Sequence, residues 1–140
     1  MYTLKTQQSF DSAHFLHGYQ GKCGNIHGHR WTIVAEICSN TLLQDVQNCG
    51  MVVDFSDFKN DLKLIADYYD HTLIYQKDTL KPKTLEALQE EDFKLTEVDF
   101  RPTAENFSKH IYEVLSGKGY TVKSITVYET PNNCAEYTGE

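Results

Sequence analysis

The feature that most constrains this fold is a run of side chains that repeats at every second position. His27, His29, Trp31, Ile33, Ala35 and Ile37 alternate with Gly28, Arg30, Thr32 and Glu36, and Val34 is the apolar exception. Residues two apart share one face of a strand, so the run reads as a strand with one buried face. The two histidines continue that face. Their imidazoles point the same way and can share an ion, and Gly28 leaves room on the opposite side.

The same histidines close the heptad Cys23-Gly24-Asn25-Ile26-His27-Gly28-His29, and His14 lies a short distance upstream. These potential ligands fall within 16 residues, in a chain with 6 histidines and 4 cysteines. Neutral imidazole and thiolate are ligand types that suit zinc. His-Gly-His alone is a weak motif, and two strand histidines ordinarily just satisfy their hydrogen bonds. The shared face and the third histidine favour metal. His14 is the expected third ligand; His17 competes, but it lies beside Gly18 in a loop-like stretch. Three histidines with an open fourth position make a catalytic zinc arrangement. Cys23 keeps two readings. It is either the fourth ligand of a closed structural site or a free thiolate acting as base or nucleophile.

Around this cluster the chain reads as α+β. Tyr2 to His14 is rich in Thr, Tyr and Phe and reads as a long strand. Residues 39–50 read as a loop. Met51-Val52-Val53 leads into a helix whose buried stripe is Phe58, Leu62, Ile65, Ala66 and Tyr69, with Asp54 or Ser56 as cap. Residues 76–101 are irregular, with Lys83 to Gln89 as a short helix and Phe93 to Phe100 as an extended piece. Pro102 and Thr103 start a further helix with Ala104, Phe107, Ile111, Val114 and Leu115 inward, ended by Gly117 and Gly119. Thr121 to Thr130 and Ala135 to Thr138 form the last strand pair. The expected fold is a single domain over 1–140: an antiparallel sheet with two helices on one face, ordered strand, strand, helix, helix, strand, strand.

Three further positions invite chemistry, each beside a plainer reading. Asp70-His71 at a helix exit is a surface pair, or an aspartate orienting a proton-exchanging histidine. Glu129 continues the face of Ile125 and Val127; it is an exposed strand-end carboxylate, or an anchor for a heterocycle with two adjacent N–H groups. Glu105, near the helix start, favours the helix dipole in its plainer reading, and His110 lies off the apolar stripe. Cys38, Cys49 and Cys134 have no such neighbours. The net charge of −7 argues against broad nucleic-acid or anionic-membrane binding. No apolar run approaches bilayer length. With no signal-peptide pattern at Met1 to Lys5, the cysteines read as reduced thiols of a cytoplasmic protein.

These residues resemble the 6-pyruvoyl-tetrahydropterin synthase and 6-carboxytetrahydropterin synthase family, nearly end to end. The resemblance is carried by Phe10-Asp11-Ser12-Ala13-His14, the Cys23–His29 heptad and Met51-Val52-Val53-Asp54-Phe55-Ser56-Asp57. Asp70-His71, Pro102-Thr103-Ala104-Glu105-Asn106, Val127-Tyr128-Glu129-Thr130 and Tyr137-Thr138-Gly139-Glu140 complete it. It implies a tunnelling fold, in which subunits join their sheets into a barrel, and a homohexamer of two stacked trimers with intersubunit active sites. It implies zinc on His14, His27 and His29, and Cys23 as catalytic base. His71, oriented by Asp70, belongs to the proton relay. Glu129 holds the pterin ring and is counted with the relay, and Glu105 also touches the pterin. The implied substrate is 7,8-dihydroneopterin triphosphate. Cys-x-x-x-His-x-His spacing resembles the 6-carboxytetrahydropterin branch of queuosine biosynthesis, a lyase reaction releasing acetaldehyde and triphosphate. The alternative branch makes the 6-pyruvoyl product. A structural-zinc binding module and another pterin or purine enzyme of the same fold are the remaining readings.

Overall fold

The computed structural model describes residues 1–140. Two thirteen-residue strands, β1 (Tyr2–His14) and β2 (His27–Ser39), pair antiparallel from Tyr2↔Ser39 to His14↔His27. The connecting loop contains a 3-10 turn at Lys22–Gly24. The period-two face of β2 is buried as its pattern requires, with Trp31, Ile33 and Ala35 at 0% exposure. Strand β5 (Val122–Thr130) pairs antiparallel with β2, and β6 (Asn133–Tyr137) with β5.

Two helices cover this face. Helix α1 (Phe55–Tyr69) is capped by Asp54, whose carboxylate accepts the Ser56 N–H at 2.7 Å. Its buried residues are Phe58, Leu62, Ile65, Ala66 and Tyr69, the stripe the spacing predicts. Helix α3 (Ala104–Gly117) is capped by Thr103 Oγ1, which accepts from Asn106 N. Its buried residues are Ala104, Phe107, Ser108, Ile111 and Leu115, with Val114 only partly buried. Gly119, at φ 98°, takes the left-handed conformation beyond the helix end. Phe107 meets Phe10, Trp31, Tyr69 and Phe100 edge-on and knits the helix layer to the sheet.

The α+β class is as expected, but the sheet is wider and mixed. Strand β3 (Leu73–Gln76) lies parallel to β1, and β4 (Leu95–Val98) parallel to β3, giving the order β4-β3-β1-β2-β5-β6. Helix α2 (Pro82–Glu90) makes the crossover that a parallel pair needs. Strand β4 falls within the extended piece expected at Phe93 to Phe100, whereas β3 escapes a pattern reading for reasons of length and burial. Four residues hold too few alternations, and in β3 the neighbours Ile74 and Tyr75 are both buried. No α2 residue is buried. No helix is long and apolar enough to cross a membrane.

Candidate metal centre

The β1–β2 register sets His14 directly opposite His27, one residue pair beyond Ala13↔Gly28 and two beyond Ser12↔His29. All three imidazoles project on the covered face, where Trp31 forms the floor beneath His14 and His29, its ring centroid 4.9 and 5.7 Å from theirs. Their ring nitrogens lie within 4.8 Å of one another. His14 is fully buried, and His27 and His29 are half-buried.

Two backbone carbonyls fix the tautomers. His14 Nδ1–H donates to the Pro102 carbonyl at 2.8 Å, and His27 Nδ1–H donates to the Asn25 carbonyl at 2.7 Å. Carbonyls only accept, so each neutral ring carries its proton on Nδ1 and a lone pair on Nε2. Those two Nε2 atoms face each other at 3.1 Å. Lone pair against lone pair at that distance is repulsive unless a cation lies between them. A proton is a poor occupant: burial, helped by His27 and His29, pushes the His14 pKa down to about 4 against the pull of the Pro102 carbonyl. Two nitrogens on one tetrahedral zinc stand about 3.3 Å apart, close to the separation here. His29 Nε2 is a third buried ring nitrogen with no hydrogen-bond partner. Burial also holds its pKa below the ordinary histidine range, although Glu129 draws it up. The donor set fits a divalent metal of zinc type.

Glu129 Oε1 is 3.5 Å from His29 Nε2, where the Ile125-Val127-Glu129 face of β5 leads it. Glu105, exposed in the first turn of α3, lines one small pocket with Glu129 and Cys134. Cys23 stands half-buried in the 3-10 turn, its sulfur outside the histidine cluster, so the closed one-cysteine, three-histidine site is not formed. His17 is exposed and outside the cluster too. Cys38, Cys49 and Cys134 are free thiols.

Asp70 and His71 are joined as the pair reading requires: His71 Nδ1–H donates to Asp70 Oδ2 at 2.8 Å. Asp70 Oδ1 accepts Asp11 N–H at 2.9 Å; that bond first, then His71, holds the Asp70 carboxyl below the usual carboxylate range. His71 adopts φ 53°, left-handed for a non-glycine residue, while its N–H donates to the Asp11 carbonyl at 2.6 Å. Neither Asp70 nor His71 is part of the histidine cluster. His71 lines a pocket with Ser12 and His29 and with Asp11, Ala13, Gly28 and Arg30, the last four at positions that alternate with the buried face of β1 and β2. Leu88 of α2 and Phe93 wall the same pocket, and Arg30 pairs with Asp11 at 3.2 Å. A Cβ on Gly28 would meet Ser12 O at an ordinary 3.5 Å, so space alone does not demand glycine there. The orienting carbonyls of Pro102 and Asn25 are the parts of the site no side-chain pattern announces.

Fold and site together define a class: a mixed α+β protein with a cluster of three histidines fit to hold a metal on the helix-covered face of its sheet. The chain belongs to the 6-pyruvoyl tetrahydropterin synthase family, whose model matches residues 3–140. It is a pterin synthase, a lyase. It is 37% identical over 140 residues to 6-carboxy-5,6,7,8-tetrahydropterin synthase of Haemophilus influenzae, covering 98% of this chain and 99% of that one. The protein of the same name from Rickettsia felis is 32% identical over 130 residues, covering 88% and 90%. Among solved structures, an uncharacterised protein from Wolinella succinogenes superposes with TM-score 0.81 at 20% identity, covering 99% and 98%. The 6-pyruvoyl tetrahydropterin synthase of Caenorhabditis elegans gives 0.68 at 24% identity, covering 99% and 96%. At such identities the likeness speaks for the fold.

Proposed function

We propose that this enzyme converts 7,8-dihydroneopterin triphosphate and water to 6-carboxy-5,6,7,8-tetrahydropterin, acetaldehyde and triphosphate, in the cytoplasmic route to queuosine. The observation that carries the reading is the facing pair of Nε2 atoms at 3.1 Å with Glu129 beside the third imidazole. The Cys-x-x-x-His-x-His spacing and the name borne by the Haemophilus influenzae relative support the carboxy branch.

His14, His27 and His29 would hold zinc, with Pro102 and Asn25 fixing two of the rings from behind. Zinc bound there supplies Lewis acidity toward the hydroxyl oxygens of the substrate side chain. Cys23, as thiolate, takes the proton from the adjacent C–H. Glu129 accepts two neighbouring N–H groups of the pterin ring, a charge-assisted pair, and Glu105 lines the same pocket as a second contact. Asp70 keeps the Nδ1–H of His71 engaged, leaving Nε2 free to exchange a proton.

His71 is not part of its own chain's histidine cluster, and on β1 and β2 its pocket is lined mainly by positions that alternate with the buried face. A second copy supplies it. The open edges β4 and β6 suit the joining of sheets between copies, and the assembly is a hexamer of two stacked trimers. The test is mass spectrometry of the products from dihydroneopterin triphosphate. A 6-carboxy product with acetaldehyde is expected. A 6-pyruvoyl product moves the enzyme to the other branch, and no turnover by zinc-loaded protein leaves a structural zinc site.

A further inference from the structure

The loop between β1 and β2 carries Cys23, and its shape is set by a few close contacts. Leu16 N–H donates to the Cys23 carbonyl at 2.9 Å, and Tyr19 N–H to the Leu16 carbonyl at 3.2 Å. Gly21 precedes the turn that holds Cys23 and Gly24 ends it, and both lie close against Tyr19. A Cβ on Gly21 would lie 2.6 Å from Tyr19 Cε1, and one on Gly24 would lie 2.6 Å from the Tyr19 carbonyl oxygen. The loop is wound around this tyrosine.

Arg101 reaches the same tyrosine from outside. Its guanidinium carbon lies 5.8 Å from the Tyr19 ring centroid, within cation–π range, and Nη2 donates to the His17 carbonyl at 3.3 Å. Apart from His27 at the loop's exit, Arg101 is the one side chain outside the loop that hydrogen-bonds to it. Its Nε is buried with no partner, which fits a side chain extended to reach across rather than one satisfied locally. Arg101 directly precedes Pro102, whose carbonyl orients His14. One dipeptide therefore fixes a ligand ring through its backbone and the cysteine loop through its side chain.

From this we infer that Arg101 is a positioning residue: through Tyr19 and the His17 carbonyl it holds the Cys23 loop at a fixed distance from the histidine cluster. This rests on the reading of Cys23 as the proton acceptor, and it adds the element that sets the acceptor's position. A 1 Å error in the position of a reacting group can cost on the order of 100-fold in rate. Loss of Arg101 should therefore lower kcat while leaving the metal in place.

The experiment compares wild type, Arg101→Ala, Arg101→Lys and Tyr19→Leu, all zinc-loaded. Zinc content, kcat and KM are measured, and Cys23 alkylation by iodoacetamide is followed by peptide mass spectrometry. Arg101→Ala should keep full zinc, alkylate Cys23 several-fold faster and lose roughly 10- to 100-fold in kcat, with KM within about twofold. Tyr19→Leu should show the same signature, and Arg101→Lys, which keeps a cation over the ring, should recover most of it. Should Arg101→Ala fail to fold, Arg101→Gln carries the same comparison. An unchanged alkylation rate overturns the inference, and so does a KM rise at constant kcat, which makes Arg101 a substrate contact. Alkylation is read without turnover. If Cys23→Ala kept its activity, the role of Cys23 would fall while the effect of Arg101 on the loop could still be observed.

Discussion

The depressed pKa of His14 makes a stability prediction that can be isolated in one substitution. In the unfolded chain His14 titrates near 6.5, and in the fold near 4. The unfolded state therefore binds a proton more readily, and its contribution to stability is full above pH 6.5 and is lost as pH falls toward 4. From those two values the loss between pH 7 and pH 5 is about 2 kcal/mol, and about 3 kcal/mol by pH 4. The side chain is 0% exposed, so solvent screening does not dilute the effect. Urea unfolding of chelator-treated wild type and of His14→Phe at pH 7 and pH 5 separates His14 from the carboxylates, which remain mostly ionised there. Wild type should lose about 2 kcal/mol more than the variant over that step. Zinc at 100 times its Kd should add about 2.7 kcal/mol at pH 7, and less at pH 5, because only neutral imidazoles ligate. Equal pH dependence in the two metal-free proteins would refute the reasoning, since His14 would then titrate alike folded and unfolded.

Cys23→Ala should retain its zinc by metal analysis and lose roughly 100- to 10,000-fold in turnover, the usual worth of a positioned proton acceptor; release of zinc with unfolding would make Cys23 a ligand. Glu129→Gln keeps one acceptor but no charge, so kcat/KM should fall roughly 10- to 100-fold with zinc content unchanged. Burial raises the Tyr69 pKa to about 12, favouring the protonated phenol in the fold, so stability holds below pH 10 and falls between 10 and 12. Urea midpoints at pH 9 and 11 should show about 1.4 kcal/mol of that loss in wild type and none of it from this position in Tyr69→Phe.

What the sequence shows is what repeats. The face of β2 and the stripe of α1 are legible because five or six residues state the same period. The same logic found Glu129, since Ile125 and Val127 carry their face straight to His29. The three histidines follow from that face together with the end of β1. Strand β3 is four residues long and has no room to declare a period. The carbonyls of Pro102 and Asn25 carry no letter of their own, so the tautomers of His14 and His27 emerge only once the chain is folded. Arg101 and Tyr19 meet across more than eighty residues, and neither belongs to a motif. The direction of His71 is set by a left-handed backbone angle that Asp11 imposes from another strand.

The antiparallel pairing of β1 with β2 has a consequence for how the protein assembles. All three imidazoles lie on this one hairpin, His14 against His27. The strand after His71 must instead return across some sixty residues of chain to lie beside His14 at Ile74. Closing a longer loop costs more chain entropy, and short-range pairings are made first. The imidazoles therefore gather early, and the edge that carries His71 arrives late. A metal ion present during synthesis meets a nearly complete set of ligands while the later half of the chain is still unpaired. Metal supplied during refolding should therefore raise the yield of active protein above that reached when the same metal is added afterwards.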